Sequence, residues 1–254
     1  MNKQKEHTEQ RDIVIYGYSR QDLEKIMRHF SESLPDYIRL TYPSHGLCTN
    51  IRLTGKYHGL ELLRFNMNKY HRTLADLFRE EVISLQDETI SQILGKKLLE
   101  RELTVSSAES CTGGNIAHRI VETSGSSAYF LGSVVGYSNE VKADVLGVDR
   151  SHIDRFGAVS REVVEEMVTG VCKLMHTDCG IATSGVAGPH GGTPAKPVGT
   201  VWFAVKYNNQ IVSECRHFKG NRNAVIEAAT NHGMVMLLNL LRESYHASEY
   251  AGDE

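Results

Sequence analysis

Ser110 raises the question of chemistry in this 254-residue chain. It stands in Ala108-Glu109-Ser110-Cys111-Thr112-Gly113-Gly114, where an apolar–polar alternation gives way to a helical pattern. A serine hydroxyl becomes a nucleophile only when a base takes its proton. The two glycines let backbone N–H groups approach a ligand without an intervening Cβ, and the helix start that follows favours negative charge. Read as chemistry, the stretch is a nucleophile beside an oxyanion or anion cradle. Read as structure it is a capped turn, because Ser and Thr satisfy free N–H groups at helix starts. This segment alone leaves both readings open.

A base is on offer 32 residues downstream, in Gly136-Tyr137-Ser138-Asn139-Glu140-Val141-Lys142. Asn139 reads as an N-cap, which puts Lys142 in the first helical turn, where a cation opposes the helix dipole and its charged form is disfavoured. Partly buried, such a lysine can be neutral enough to take a proton; otherwise it is a solvated surface residue. Tyr137 is placed either to hydrogen-bond a base or substrate or simply to pack. Residues 184–203, "SGVAGPHGGTPAKPVGTVWF", form a glycine-rich loop with three prolines after a strand. Such loops are costly to order and more often functional than the average loop. The spacing is neither a phosphate loop nor G-x-G-x-x-G. Lys196 in this loop and Arg222, at the mouth of the last helix, are candidate partners for an anion or plain surface cations.

The elements that must position these residues fall into two groups. Residues 11–86 read as a small α+β module: "DIVIYGY" as a strand, a helix capped by Ser19, "YIRLTYP" and "TNIRLTGKY" as strands, then a second helix. From Asp87, a plausible N-cap, helices and strands alternate to residue 244, which predicts a layered α/β/α domain with a mixed sheet. "LTVSSAES" and "YFLGSVVGYS" are strands in it. "GTVWFAVKY" and "QIVSECRHF" pair about Asn208-Asn209, residues that tolerate left-handed turns. Residues 1–10 read as a disordered tail and 245–254 as a polar one.

Four segments then match one family in order: "AESCTGG", "YSNEVK", "SGVAGP-GG" with "KPVGTVW", and "F-G-R". From about Asp87 to Leu241 the chain resembles the C-terminal domain of the competence/damage-inducible CinA proteins, a domain that also occurs alone as nicotinamide-nucleotide amidohydrolase. Residues 11–86 resemble the KH-like middle module of longer CinA proteins. The resemblance implies hydrolysis of the carboxamide of nicotinamide mononucleotide to nicotinic acid mononucleotide and ammonia, without metal or cofactor. It implies Ser110 as nucleophile, Lys142 as general base and Tyr137 as assistant. Substrate contacts are implied at Glu109, Thr112, Gly113, Gly114 and Asn139, and at Ser184, Gly185, Ala187, Gly188 and Arg222. A homodimer is implied as well. The chain departs from the family at His190 and Asn221, where Asp is usual. The alternative is a nucleotide-binding or oligomerisation module without turnover.

Composition sets the remaining bounds. A net charge of -3 leaves no global nucleic-acid footprint. Residues 11–80 hold 11 Lys and Arg against 8 Asp and Glu, weak electrostatics for binding a phosphate backbone. "GKYHG" has three residues between its glycines, one more than the G-x-x-G clamp of a KH domain. Nucleic acid is therefore an unlikely partner. The five cysteines are scattered without C-x-x-C spacing, which points to reduced thiols in a cytoplasm and no metal site. No apolar run approaches the ~18 residues of a membrane span, so no membrane partner is expected.

Overall fold

The computed structural model describes residues 5–45 and 47–250, which divide into two compact units between Thr89 and Ile90. The first unit runs β1 (His7–Tyr16), α1 (Arg20–Glu32), β2 (Ile38–Thr41), β3 (Ser44–His45), β4 (Cys48–Tyr57), α2 (Leu60–Phe78) and β5 (Val82–Ser84). Its main sheet order is β2-β4-β1-β5 with antiparallel pairing throughout, and β3 adds to β4. This is the split β-α-β-β-α-β connectivity of ferredoxin-like units. It agrees with the expected α+β class; the KH-like resemblance gains nothing from it.

Helical spacing explains the core of this unit. Leu23, Met27 and Phe30 of α1 and Leu63, Met67, Leu74 and Phe78 of α2 are buried against Ile13, Ile15, Ile51 and Leu53 of the sheet. Each such side chain contributes roughly 1.5–3 kcal/mol relative to exposure. Ser19 caps α1, accepting from the Asp22 N–H at 3.3 Å. Two expectations are corrected. Residues 7–10 of the supposed tail are strand, in register with Tyr57 to Thr54 of β4. Asp87 caps no helix; its carboxylate accepts from Asn50 Nδ2 at 2.5 Å and pairs with Arg52. Residues 1–4 and 251–254 of the two tails lie outside the described residues.

The second unit contains α3 (Ile90–Glu100), β6 (Val105–Glu109), α4 (Asn115–Val121), β7 (Phe130–Val135), α5 (Asn139–Asp144), α6 (Arg150–Phe156) and α7 (Arg161–Met175). It continues with β8 (Cys179–Gly185), β9 (Thr200–Tyr207), β10 (Gln210–His217) and α8 (Arg222–Tyr250). The sheet order is β10-β9-β8-β6-β7, with β6 parallel to β7 and β8, and β8-β9-β10 antiparallel. Helix α7 packs on one face; α8 covers the other, with α3 and α4 packed on it. This is the expected α/β/α layering with a mixed sheet. Strand β6 is buried at every position, as a parallel strand covered on both faces must be.

Helix α8 runs through residues 245–250, so the polar tail expected from 245 is helical backbone as far as Tyr250. Its segment Arg222–Glu243 has mean hydropathy 1.2, enough by length and composition to cross a membrane, yet 72% of that window is buried inside the protein. The apolar surface of α8 is therefore core, with Val225, Ala229, Leu237 and Leu241 almost fully enclosed. Chain order places β7 on one side of β6 and β8 on the other. In such sheets ligands settle in the crevice beyond the carboxyl ends of the strands that flank the switch point.

Candidate active site

The crevice is occupied by the residues that raised the question of chemistry. The carboxyl ends of β6, β7 and β8 deliver Ser110, the Gly136-Tyr137 link and Ser184-Gly185 to one edge of the sheet. There they surround a cavity of about 200 Å³ lined also by Cys111, Asn139, Lys142, Ala187 and Arg222. Ala158 and Val159, from the link between α6 and α7, complete it. These two small residues carry no chemical signature, which is why sequence reasoning missed them.

Lys142 is the centre of the arrangement. It is 1% exposed, and its Nζ lies 3.1 Å from Ser110 Oγ. The same nitrogen donates to the carbonyl oxygens of Gly136 at 2.7 Å and Tyr137 at 3.3 Å. Burial holds its pKa below the ordinary lysine value; the neighbouring Cys111 and Glu140 oppose that shift only in part. A neutral amine has two N–H donors and one lone pair. Two carbonyls take the donors and the serine hydroxyl can donate to the lone pair, so the three contacts suit the neutral form. The expected origin of this state is corrected: Ser138, not Asn139, caps α5, accepting from the Val141 N–H at 3.3 Å. Lys142 lies in the last turn of a six-residue helix, so desolvation rather than the helix dipole disfavours its charge. Gly136 keeps room for it, since a Cβ there would sit 3.1 Å from Leu146 Cδ1 and 3.5 Å from Lys142 Cγ.

Cys111 also lines the cavity, but burial pushes its thiol up to about 12. A thiol that stays protonated is a weak nucleophile, which leaves Ser110 as the better one. Tyr137 is 64% exposed at the mouth, and its hydroxyl accepts from Arg222 Nη2 at 3.3 Å. Arg222 Nη1 donates to the Gly188 carbonyl at 2.8 Å, so the guanidinium ties the glycine loop to the Tyr137 link. Ser184 Oγ donates to the Ala158 carbonyl at 2.7 Å.

Several expected substrate contacts are not in the cavity lining. Glu109 is fully buried, and its carboxylate accepts from the N–H groups of Gly114, Ile116 and Ala117 at 2.9, 3.0 and 2.9 Å. Thr112 Oγ1 donates to the same carboxylate at 2.8 Å. The start of α4 is thus filled from within, and Glu109, Thr112 and Gly114 hold the turn together instead of lining the cavity. Gly113, at φ +61°, shapes that turn and is exposed away from the cavity. Gly188 contributes a carbonyl to Arg222 and does not line the space. Lys196 donates to the Phe156 carbonyl at 2.7 Å, which anchors the loop. His190 is exposed and outside the lining, and Asn221 Oδ1 accepts from the Ala224 N–H at 3.0 Å, capping α8.

Fold and site together define a class: an α/β/α domain in which a turn serine and a buried lysine share one cavity at the carboxyl edge of the parallel strands. Residues 87–241 match the CinA C-terminal domain, and the chain belongs to that family. It is 37% identical over 235 residues to a CinA-like protein of Flavobacterium psychrophilum, covering 92% of this chain and 56% of that one. It is 42% identical over 162 residues to a putative competence-damage inducible protein of Clostridium beijerinckii, covering 64% and 40% of the two. The chain thus spans about half the length of the curated relatives it matches. Among solved structures it is similar to a CinA superfamily protein from Klebsiella pneumoniae, with TM-score 0.59, 35% identity, and coverage of 61% of this chain and 99% of that one. The competence/damage inducible protein CihA from Agrobacterium tumefaciens gives TM-score 0.57, 36% identity, and coverage of 62% and 98%.

Proposed function

We propose that the second unit is an amidohydrolase that converts nicotinamide mononucleotide to nicotinic acid mononucleotide and ammonia through a Ser110 acyl-enzyme. The observation that carries this reading is the 3.1 Å contact between Ser110 Oγ and the Nζ of a buried lysine whose charged form is disfavoured. Neutral Lys142 takes the Ser110 proton as Oγ bonds to the carboxamide carbon. The tetrahedral oxyanion is held by backbone amides of the 110–114 turn, a contribution of about 3 kcal/mol per donor. As the C–N bond breaks, Lys142 returns the proton to the leaving nitrogen, which departs as ammonia. Lys142 then deprotonates water, which attacks the acyl carbon and frees Ser110 and the nicotinate product.

The choice of substrate rests on the family resemblance and on charge. The cavity lining holds Lys142 and Arg222 and no carboxylate, which favours an anionic ligand. About 200 Å³ is small against the 300–1,000 Å³ typical of ligand pockets. The amide-bearing ring would enter while ribose phosphate reaches outward to Arg222. The test is ammonia release from nicotinamide mononucleotide by wild type, Ser110→Ala and Lys142→Ala. Both variants are expected to lose at least ~10³-fold in kcat. Folded wild type that releases no ammonia from this or related amidated nucleotides would overturn the proposal and leave a nucleotide-binding module.

A further inference from the structure

The carboxylate next to the nucleophile has a part that the reaction scheme does not use. Glu109 is fully buried, and among the described residues no lysine, arginine or histidine forms an ion pair with it. Its charge is met instead by hydrogen-bond donors. Gly114 N, Ile116 N and Thr112 Oγ1 converge on Oε2, while Ala117 N at 2.9 Å, Ser107 Oγ at 3.2 Å and Ser133 Oγ at 3.4 Å converge on Oε1. Helix starts and backbone donors stabilise an enclosed anion in this way.

Two consequences follow for Ser110. First, the amides of the turn are divided. Those of 114, 116 and 117 go to Glu109, and Gly113 N donates to the Ser110 carbonyl at 3.2 Å. Cys111 and Thr112 have no such partner for their N–H groups among the described residues. Second, Thr112 is fixed from both sides. Its hydroxyl donates to Glu109, so in the 2.8 Å contact with Thr183 Oγ1 it is Thr183 that donates. Ser110 N donates to the Thr183 carbonyl at 3.0 Å, which ties the nucleophile to the same residue of β8.

We infer that Glu109 is a positioning residue of this site: it fills the start of α4, holds Thr112, and so reserves the Cys111 and Thr112 amides as the oxyanion donors for attack by Ser110. The inference rests on the acyl-transfer role of Ser110 but not on the identity of the substrate. It also removes α4 as a seat for the ligand's phosphate, because the positive end of that helix is already neutralised. Gln at 109 would turn an N–H₂ group toward donors that now meet a carboxylate oxygen, and the turn would open.

The test uses the full chain and a serine-directed probe, diethyl 4-nitrophenyl phosphate, whose transfer to Ser110 Oγ releases 4-nitrophenolate while Lys142 takes the hydroxyl proton. The labelling rate is followed by intact mass and by nitrophenolate absorbance across pH. Glu109→Gln is expected to lower the rate plateau about 100-fold, the scale of losing an oxyanion donor, with the pH midpoint unmoved because Lys142 sets it. Thr112→Val is expected to fall well below wild type and Thr112→Ser, which keeps the hydroxyl, to stay near it. A folded Glu109→Gln labelled at the wild-type rate overturns the inference, and so does a shifted midpoint. If Glu109→Gln does not fold, the Thr112 pair decides: equal rates for Val and Ser overturn it. Wild type that is not labelled at Ser110 also overturns it. Wild type that is labelled yet leaves nicotinamide mononucleotide intact overturns the substrate reading, and the variants' rates still decide the role of Glu109.

Discussion

Lys142 spends its buried nitrogen on two carbonyls and one hydroxyl, and the reaction depends on the proton it does not carry. Below its pKa the neutral fraction falls tenfold per pH unit. The expected pH profile of kcat/KM therefore has an acid limb of unit slope, with a midpoint below the ordinary 10.5, and a plateau above it. Lys142→Arg, always charged, should lack activity at every pH. Stability carries the same signature with a definite sign. The unfolded chain holds this proton up to the ordinary value, whereas the folded chain releases it earlier. Between the two values the unfolded state binds more protons, so stability rises with pH there. The difference in unfolding free energy between Lys142→Met and wild type should move in favour of wild type as pH climbs through that window. A denaturant series at several pH values reads it, and a flat difference would mean that Lys142 is charged in the folded protein.

The short elements of the site decide what could be read in advance. Asn208-Asn209 gave a local signal, and β9 and β10 meet there with Asn208 at φ +52°. Ser110, Lys142 and Arg222 were legible because each sits where its type is unusual or where glycines expose the backbone. The start of β1 was not, since His7–Gln10 is polar and becomes strand only by pairing with residues about 50 positions away. Helix α6 escaped notice because only Ile153 of its seven residues is buried. The role of Glu109 was hidden for a different reason: no spacing rule reports that a side chain folds back over the helix after it. Element geometry also explains one departure from the family. Asn221 caps α8 without charge, beside Arg222. Asn221→Ala should cost about 1 kcal/mol of stability. Asn221→Asp keeps the cap but sets a carboxylate near the guanidinium, an exposed pair worth at most ~1 kcal/mol. Its KM for the mononucleotide should rise up to about fivefold with kcat unchanged; thermal melts and steady-state kinetics separate the two effects.

At the scale of the molecule, the two units have separate cores. Ile13, Leu23, Ile51 and Met67 belong to one cluster, and Ala108, Val164, Val168 and Ala182 to another. Every residue lining the cavity lies in the second unit. The solved CinA superfamily chains from Klebsiella pneumoniae and Agrobacterium tumefaciens align over 99% and 98% of their own length with only 61% and 62% of this chain. A chain of that length therefore suffices for the fold. A fragment of residues 87–254 is accordingly expected to fold in one cooperative transition and to keep kcat within about threefold of the full chain, since no group of the proposed reaction is removed. The full chain should show a second transition for residues 1–89, moved by Leu63→Ala or Met67→Ala by ~2–5 kcal/mol without change in turnover. Circular dichroism melts paired with ammonia release check both statements. Loss of turnover in the well-folded fragment would instead assign the first unit a part in catalysis, because the Ser110–Lys142 pair would then be present and insufficient.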